Sequence, residues 1–124
     1  MKTGVVLLSH GSRAAVDEAN QLFLQLAGLV KQQLEYEIFT TAFMNPRSQR
    51  PNLEQAVGKA VREGAERVIV VPVFFFNGLH MQQDIPREIK RLSEKYRVRI
   101  DLTGPLGTDP RIADIIVEKI KEVG

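Results

Sequence analysis

The segment Arg67-Val68-Ile69-Val70-Val71-Pro72-Val73-Phe74 is apolar at nearly every position, so as an extended strand it is apolar on both faces. A strand of that kind must be covered on both sides, the condition of a central strand in a parallel sheet rather than of a half-solvated hairpin. Val5-Val6-Leu7-Leu8 has the same character. The stretches between such runs switch to helical spacing. Strand alternates with helix to the end of the chain, which calls for a parallel sheet with helices on both faces.

Strand one runs from about Gly4 to Ser9. A helix over about Ala14 to Leu34 carries Ala15, Ala19, Leu22, Phe23, Leu26, Leu29 and Val30 as one apolar stripe for the sheet. Strand two covers about Tyr36 to Phe43, after which Asn45-Pro46 and Arg50-Pro51 impose a loop. Asn52 caps a helix that buries Leu53, Ala56, Val57, Ala60 and Val61 and stops at Gly64. After strand three, Asp84 is expected to cap a helix with Pro86 in its first turn and Ile85, Ile89, Leu92 and Tyr96 inward. Strand four spans about Val98 to Leu102. Asp109-Pro110 then opens a last helix with Ile112, Ile115, Ile116 and Ile120 as its core stripe. Right-handed crossovers leave few topologies. The expected fold is a single α/β, flavodoxin-like three-layer domain over residues 1–124, with a four-stranded parallel sheet in the order 2-1-3-4.

Composition removes several function classes. A net charge of +2 without a dense basic run, together with 6% aromatic residues, gives no footprint for nucleic acid. No apolar run approaches the roughly 18 residues of a membrane span. The absence of cysteine removes disulfides and thiolate metal sites. With no secretory pattern at Met1-Lys2-Thr3-Gly4, a cytoplasmic location is expected.

The chain has two histidines, and each follows one of the buried runs. Strand one leads through Ser9 into His10-Gly11-Ser12, and strand three leads through Phe74-Phe75-Phe76-Asn77-Gly78-Leu79 into His80. In the order 2-1-3-4 these strands are neighbours, so both imidazoles leave at one carboxyl edge, where open α/β sheets keep their ligands. Imidazole binds transition metals and also exchanges protons near neutral pH. A nearby helix N-terminus favours the neutral form that either role requires. Phe43, Met44 and Phe76 are candidates to floor a cleft for a flat apolar ligand. Arg13, Arg47 and Arg50 are candidates to hold carboxylates bidentately, with Arg87 further along the same rim. Ser9-His10-Gly11 is similar to the Arg-His-Gly core of histidine phosphatases, but the phosphate-gripping arginine is a serine here, which ranks phosphoryl transfer low.

These residues carry a wider likeness. Leu8-Ser9-His10-Gly11-Ser12, Ala42-Phe43, Val71-Pro72-Val73-Phe74, Gly78-Leu79-His80, Asp84-Ile85-Pro86 and Gly104-Pro105-Leu106-Gly107 with Asp109-Pro110 resemble, in order and spacing, the small CbiX-type sirohydrochlorin chelatases. These belong to the class II tetrapyrrole chelatases. The resemblance implies insertion of a divalent metal substrate into sirohydrochlorin, Co²⁺ foremost and Ni²⁺ or Fe²⁺ as alternatives, with no organic cofactor. It carries the metal and catalytic roles onto His10 and His80, and adds Ser12, Gly78 and Leu79 to the substrate-binding candidates. Many members place a glutamate where this chain has Met44-Asn45-Pro46-Arg47, which keeps a non-catalytic metal or tetrapyrrole carrier as the alternative. Longer members hold two such domains, so a single copy implies a homodimer whose paired domains form the cleft.

Overall fold

β1 (Thr3–Ser9) is buried from Gly4 to Leu8 and pairs in parallel with β2 (Ile38–Phe43) on one side and β3 (Arg67–Pro72) on the other. β4 (Arg99–Leu102) joins β3 on the outside, so the sheet has the expected order β2-β1-β3-β4. The coordinates are a computed structural model that describes residues 2–124, His80 by its backbone alone. Gly4 of β1 sits where a side chain would be crowded. A Cβ there would lie 3.0 Å from Ile38 Cγ2 and 3.3 Å from Ala60 Cβ.

One face of the sheet is closed. α2 (Leu53–Arg62) and α3 (Leu79–Tyr96) cover Val6, Leu8, Val68 and Val70, and Val57, Ala60, Ile85 and Leu92 join them in the main core. α2 starts at the expected cap: Asn52 Oδ1 accepts from the Gln55 N–H and Gln55 Oε1 accepts from the Asn52 N–H, both at 2.8 Å. The opposite face carries α1 (Glu18–Gln32) alone, in a smaller cluster of Val5, Leu7 and Ala27 with Phe23, Val30, Val71 and Val73 half-buried around them.

Three expectations are corrected. The first helix is shorter than Ala14–Leu34: Ala14–Val16 is a 3₁₀ turn and α1 begins at Glu18. Of its expected stripe, Leu22, Leu26 and Leu29 are exposed, because α1 offers the sheet only its Phe23–Ala27–Val30 side. The third helix starts earlier than Asp84. Gly78 is its N-cap, and Asp84 and Pro86 lie inside it; a proline in the body removes one backbone donor without ending a helix that Ile85, Ile89 and Leu92 pin to the core. The last helix, α4 (Pro110–Val123), opens at Asp109 and Pro110 as expected, yet buries no residue. Its Ile115, Ile116 and Ile120 are 55%, 55% and 63% exposed. The sheet corner it would have to cover is charged: Asp101 Oδ2 accepts from Arg67 Nε at 2.7 Å and pairs with Arg99 Nε at 3.0 Å. Among the described residues, no helix is long and apolar enough to cross a membrane.

Candidate functional site

Because β1 and β3 are adjacent and parallel, Ser9 and Pro72 bring their following loops to the same carboxyl edge. His10 leaves β1 there and is exposed. Its ring stacks on Phe74, centroids 3.8 Å apart and planes 20° from parallel. That contact orients the imidazole by its face and leaves its edges, which carry both nitrogens, outside the stack. His80 is the second residue of α3, in the turn that follows the Gly78 cap. Its backbone therefore sits at a helix N-terminus at the same sheet edge, while its side chain lies outside the described residues. The helix-terminus argument does not extend to His10, since α1 begins only at Glu18.

The backbone around His10 is tied on both sides. Met44 N–H donates to Ser9 C=O at 2.9 Å and Asn45 N–H donates to His10 C=O at 2.8 Å, so the loop after β2 continues the sheet's hydrogen bonding past its edge. Gly11 takes φ +83°, and a Cβ there would come within 3.2 Å of Phe43 Cβ, so the tight turn requires glycine twice over. Ser12 is gripped by Asn20, which is 1% exposed: Asn20 Oδ1 accepts from Ser12 N–H at 2.7 Å and Asn20 Nδ2 donates to Ser12 C=O at 2.9 Å. The same Nδ2 donates to Asp17 Oδ1 at 2.8 Å. Asp17 in turn accepts from Arg50 Nε at 3.1 Å and from Arg50 Nη2 at 2.5 Å. The Arg50 guanidinium, helped by Asn20, holds the Asp17 carboxyl down to about 2.

This arrangement separates the arginines. Arg50 is engaged by Asp17 and lies over the Phe43 ring, 5.6 Å from its centroid. Arg13 and Arg47 are exposed, and among the described residues neither pairs with a carboxylate. Phe43 is 1% exposed and meets Phe23 edge-on, so in this chain alone it is core beneath the rim. Met44 is half-buried against the main core. Phe76, Gly78 and Leu79 are exposed, Phe76 at 65% and Leu79 at 75%.

An apolar trough of about 530 Å³ opens beside His10, walled by Val73, Phe74, Phe75 and Phe76, with Leu26 from α1 and Leu106 from the loop before α4. Its size falls in the range of small-molecule sites. Asn77 Oδ1, in the loop that leads to His80, is buried without a hydrogen-bond partner among the described residues. Asn20, Asp17, Leu26 and Leu106 are the site residues that sequence reasoning missed. The periodicity of the first helix points Leu26 at the sheet; for Asn20, a buried amide far from any motif, the sequence carries no local signal.

Comparisons with known proteins bear on the chain's family and fold. The sirohydrochlorin cobaltochelatase of Sulfurisphaera tokodaii is 33% identical over 120 residues, covering 97% of this chain and 92% of that protein. The sirohydrochlorin ferrochelatase of Priestia megaterium is 34% identical over 119 residues, which are 95% of this chain and 43% of that one. The crystal structure of the sirohydrochlorin chelatase SirB from Bacillus subtilis subspecies spizizenii, in complex with cobalt, superposes with a TM-score of 0.90 at 27% identity, covering 99% of this chain and 51% of that chain. The chain thus spans nearly all of one relative and about half of two longer ones. The CbiX family profile matches residues 4–123, all of the sheet but its first residue together with the helices and the His10 edge, and the chain belongs to the CbiX family.

Proposed function

We propose that this chain is a sirohydrochlorin chelatase that inserts a divalent metal into the macrocycle. The observation that carries the reading is the exposed His10 ring, stacked on Phe74 at the wall of an apolar trough on the ligand edge of the sheet. A flat macrocycle has an apolar body, which suits walls of Phe74, Phe75 and Phe76. Its peripheral carboxylates call for guanidinium partners, and among the described residues Arg13 and Arg47 are arginines of this region that pair with no carboxylate. Arg50 acts from behind, holding the loop against α1 through Asp17.

Insertion removes two pyrrole protons as the metal enters, so the site needs a ligand for the incoming ion and an acceptor for protons. Neutral imidazole serves both ends. We assign His10 and His80 to these roles, with Ser12, Gly78 and Leu79 lining the approach. Cobalt is the metal of the full-length relative and iron that of the longer one, and we take Co²⁺ as the first substrate to test, before Fe²⁺ and Ni²⁺. The single copy is taken as one half of the two-domain arrangement, working as a homodimer in the cytoplasm.

The test is to mix the protein with sirohydrochlorin and each metal and to follow the visible spectrum. Multiple turnovers are expected with at least one metal, and would exclude the carrier alternative. His10→Ala and His80→Ala should each lower the rate about 100-fold or more, the scale of losing a positioned proton-transfer group. No acceleration over the uncatalysed rate with any metal overturns the reading.

A further inference from the structure

The loop from β3 to α3 holds an asparagine followed by a glycine, Asn77-Gly78. Among the described residues the Asn77 side chain makes no hydrogen bond, and its Oδ1 is buried without a partner. A buried amide oxygen left unpaired is unusual in a folded chain. The Gly78 N–H is likewise unpaired among the described residues, whereas both neighbouring carbonyls are held. Gln82 Nε2 donates to Asn77 C=O at 3.2 Å and Gln82 N–H donates to Gly78 C=O at 3.0 Å. Gly78 is exposed, and a Cβ built on it would meet nothing within 4 Å. An unshielded backbone nitrogen thus lies next to an uncommitted side-chain amide, within reach of water.

We propose that Asn77 is a site of spontaneous deamidation, through a succinimide ring closed by the Gly78 nitrogen. That nitrogen attacks Asn77 Cγ. The N–Cγ bond forms, the Cγ–Nδ2 bond breaks, and the nitrogen's proton leaves with Nδ2 as ammonia. Water then opens the ring. Addition at Cγ returns an ordinary aspartyl residue; addition at the main-chain carbon leaves the chain running through Cγ, an isoaspartyl link longer by a methylene. No oxidant or reductant takes part.

The other three asparagines of the chain fail this chemistry, each for its own reason. Asn45 precedes Pro46, which has no N–H to lose. Asn20 lies in α1 with its amide bonded to Ser12 and Asp17, and the N–H of the following Gln21 donates to Asp17 C=O at 3.0 Å. Asn52 caps α2 with its Oδ1 taken by the Gln55 N–H, and the next residue is the buried, branched Leu53. Asn77 joins a free side-chain amide to a following glycine, the residue that lets the backbone approach most closely.

The product alters the frame of the candidate site. Either route places a carboxylate just ahead of the Gly78 cap, where the partial positive charge of the α3 N-terminus favours it. The isoaspartyl link also lengthens the connection from β3 to α3, three residues before His80. The chemistry is independent of the chelatase reading; its effect on metal insertion rests on that reading.

The test ages the protein in mildly alkaline heavy-oxygen water, digests it, and fragments the peptides by electron transfer, which separates aspartyl from isoaspartyl links. Asn77 should convert at least tenfold faster than Asn20, Asn45 or Asn52, with heavy oxygen in the product and isoaspartate in excess of aspartate. Gly78→Ala should slow the conversion at least fivefold. That variant keeps the fold, because Gly78 takes φ −67° and ψ 163°, open to any residue, with room for the added methyl. An Asn77 that converts no faster than the other three, yields aspartate alone, or keeps its rate in Gly78→Ala overturns the proposal. In the insertion assay the rate of aged protein should fall in step with its isoaspartyl fraction, and a rate independent of that fraction overturns the effect on the site. Failure of fresh protein to insert any metal counts against the chelatase reading alone, since the peptide readout uses no metal.

Discussion

The two faces of the sheet are built from the same kind of strand and end up differently. On one, Val6, Leu8, Val68 and Val70 are at 0% exposure beneath α2 and α3. On the other, Ile69, Val71 and Val73 of the same central segment are only half-buried, and α1 covers the sheet with few of its apolar residues. Apolar periodicity marks a surface that must leave water. It does not say whether the cover comes from the same molecule. The closed face is a core; the open face is a surface that the fold presents.

The difference is largest in what a single truncation does to folding. Leu92→Ala, on α3 at 0% exposure, should cost about 2–5 kcal/mol in urea unfolding, the loss of a buried side chain plus the cavity left behind. Ile116→Ala, on α4, should change the stability of the dissociated chain by less than about 0.5 kcal/mol, as exposed positions do. Equal losses at high dilution would mean that α4 packs on its own sheet, and the contrast between faces would collapse.

The same contrast explains what could be read from the sequence. Strand order, the Asn52 cap and the burial of Val57, Ile85 and Leu92 were legible, because local pattern and final packing agree on the closed face. The Ile stripe of α4 was equally clear as a pattern and misleading as a core. Asp84 looked like a cap because it precedes Ile85-Pro86, but burial of Ile85 and Ile89 carries the helix back to Gly78. At the site, the His10 edge was legible from strand topology alone. The stacking partner Phe74 and the Asn20 grip were not, since both join segments far apart in sequence and depend on side-chain direction.

A second test asks what holds α1 if a core does not. Asn20 is the buried polar residue of that helix, and its bonds to Ser12 and Asp17 anchor the helix start to the His10 loop. Asn20→Ala leaves the Ser12 N–H and C=O without these partners and should cost about 1–3 kcal/mol. Asn20→Asp keeps an acceptor for the Ser12 N–H and should recover part of that loss. If thermal melts place Asn20→Ala within error of the parent, α1 is held by its apolar contacts and the open face is firmer than its burial suggests.

The smallest effect is electrostatic, and each face has its own ion cluster. On the closed face Glu54 of α2 takes Arg91 and Lys95 of α3, which hold its carboxyl down to about 2; on the open face Arg50 and Asn20 do the same for Asp17. Both carboxyls sit below their ordinary values in the folded chain, so each contributes stability that is whole above about pH 5 and is lost as pH falls toward 2. The consequences should differ, because protonating Glu54 removes a surface tie from helices that a core already holds, whereas protonating Asp17 loosens the link between α1 and the loop before α2. Hydrogen exchange, corrected for its intrinsic pH dependence, should therefore show α1 amides losing protection between pH 4 and 2 while α2 amides keep theirs. Asp17→Asn should lose α1 protection already at pH 6 and flatten that dependence, and Glu54→Gln should leave the α1 profile unchanged. Simultaneous loss of protection in α1 and α2 would mean that the sheet's two faces open as one unit in acid, whatever their difference in burial.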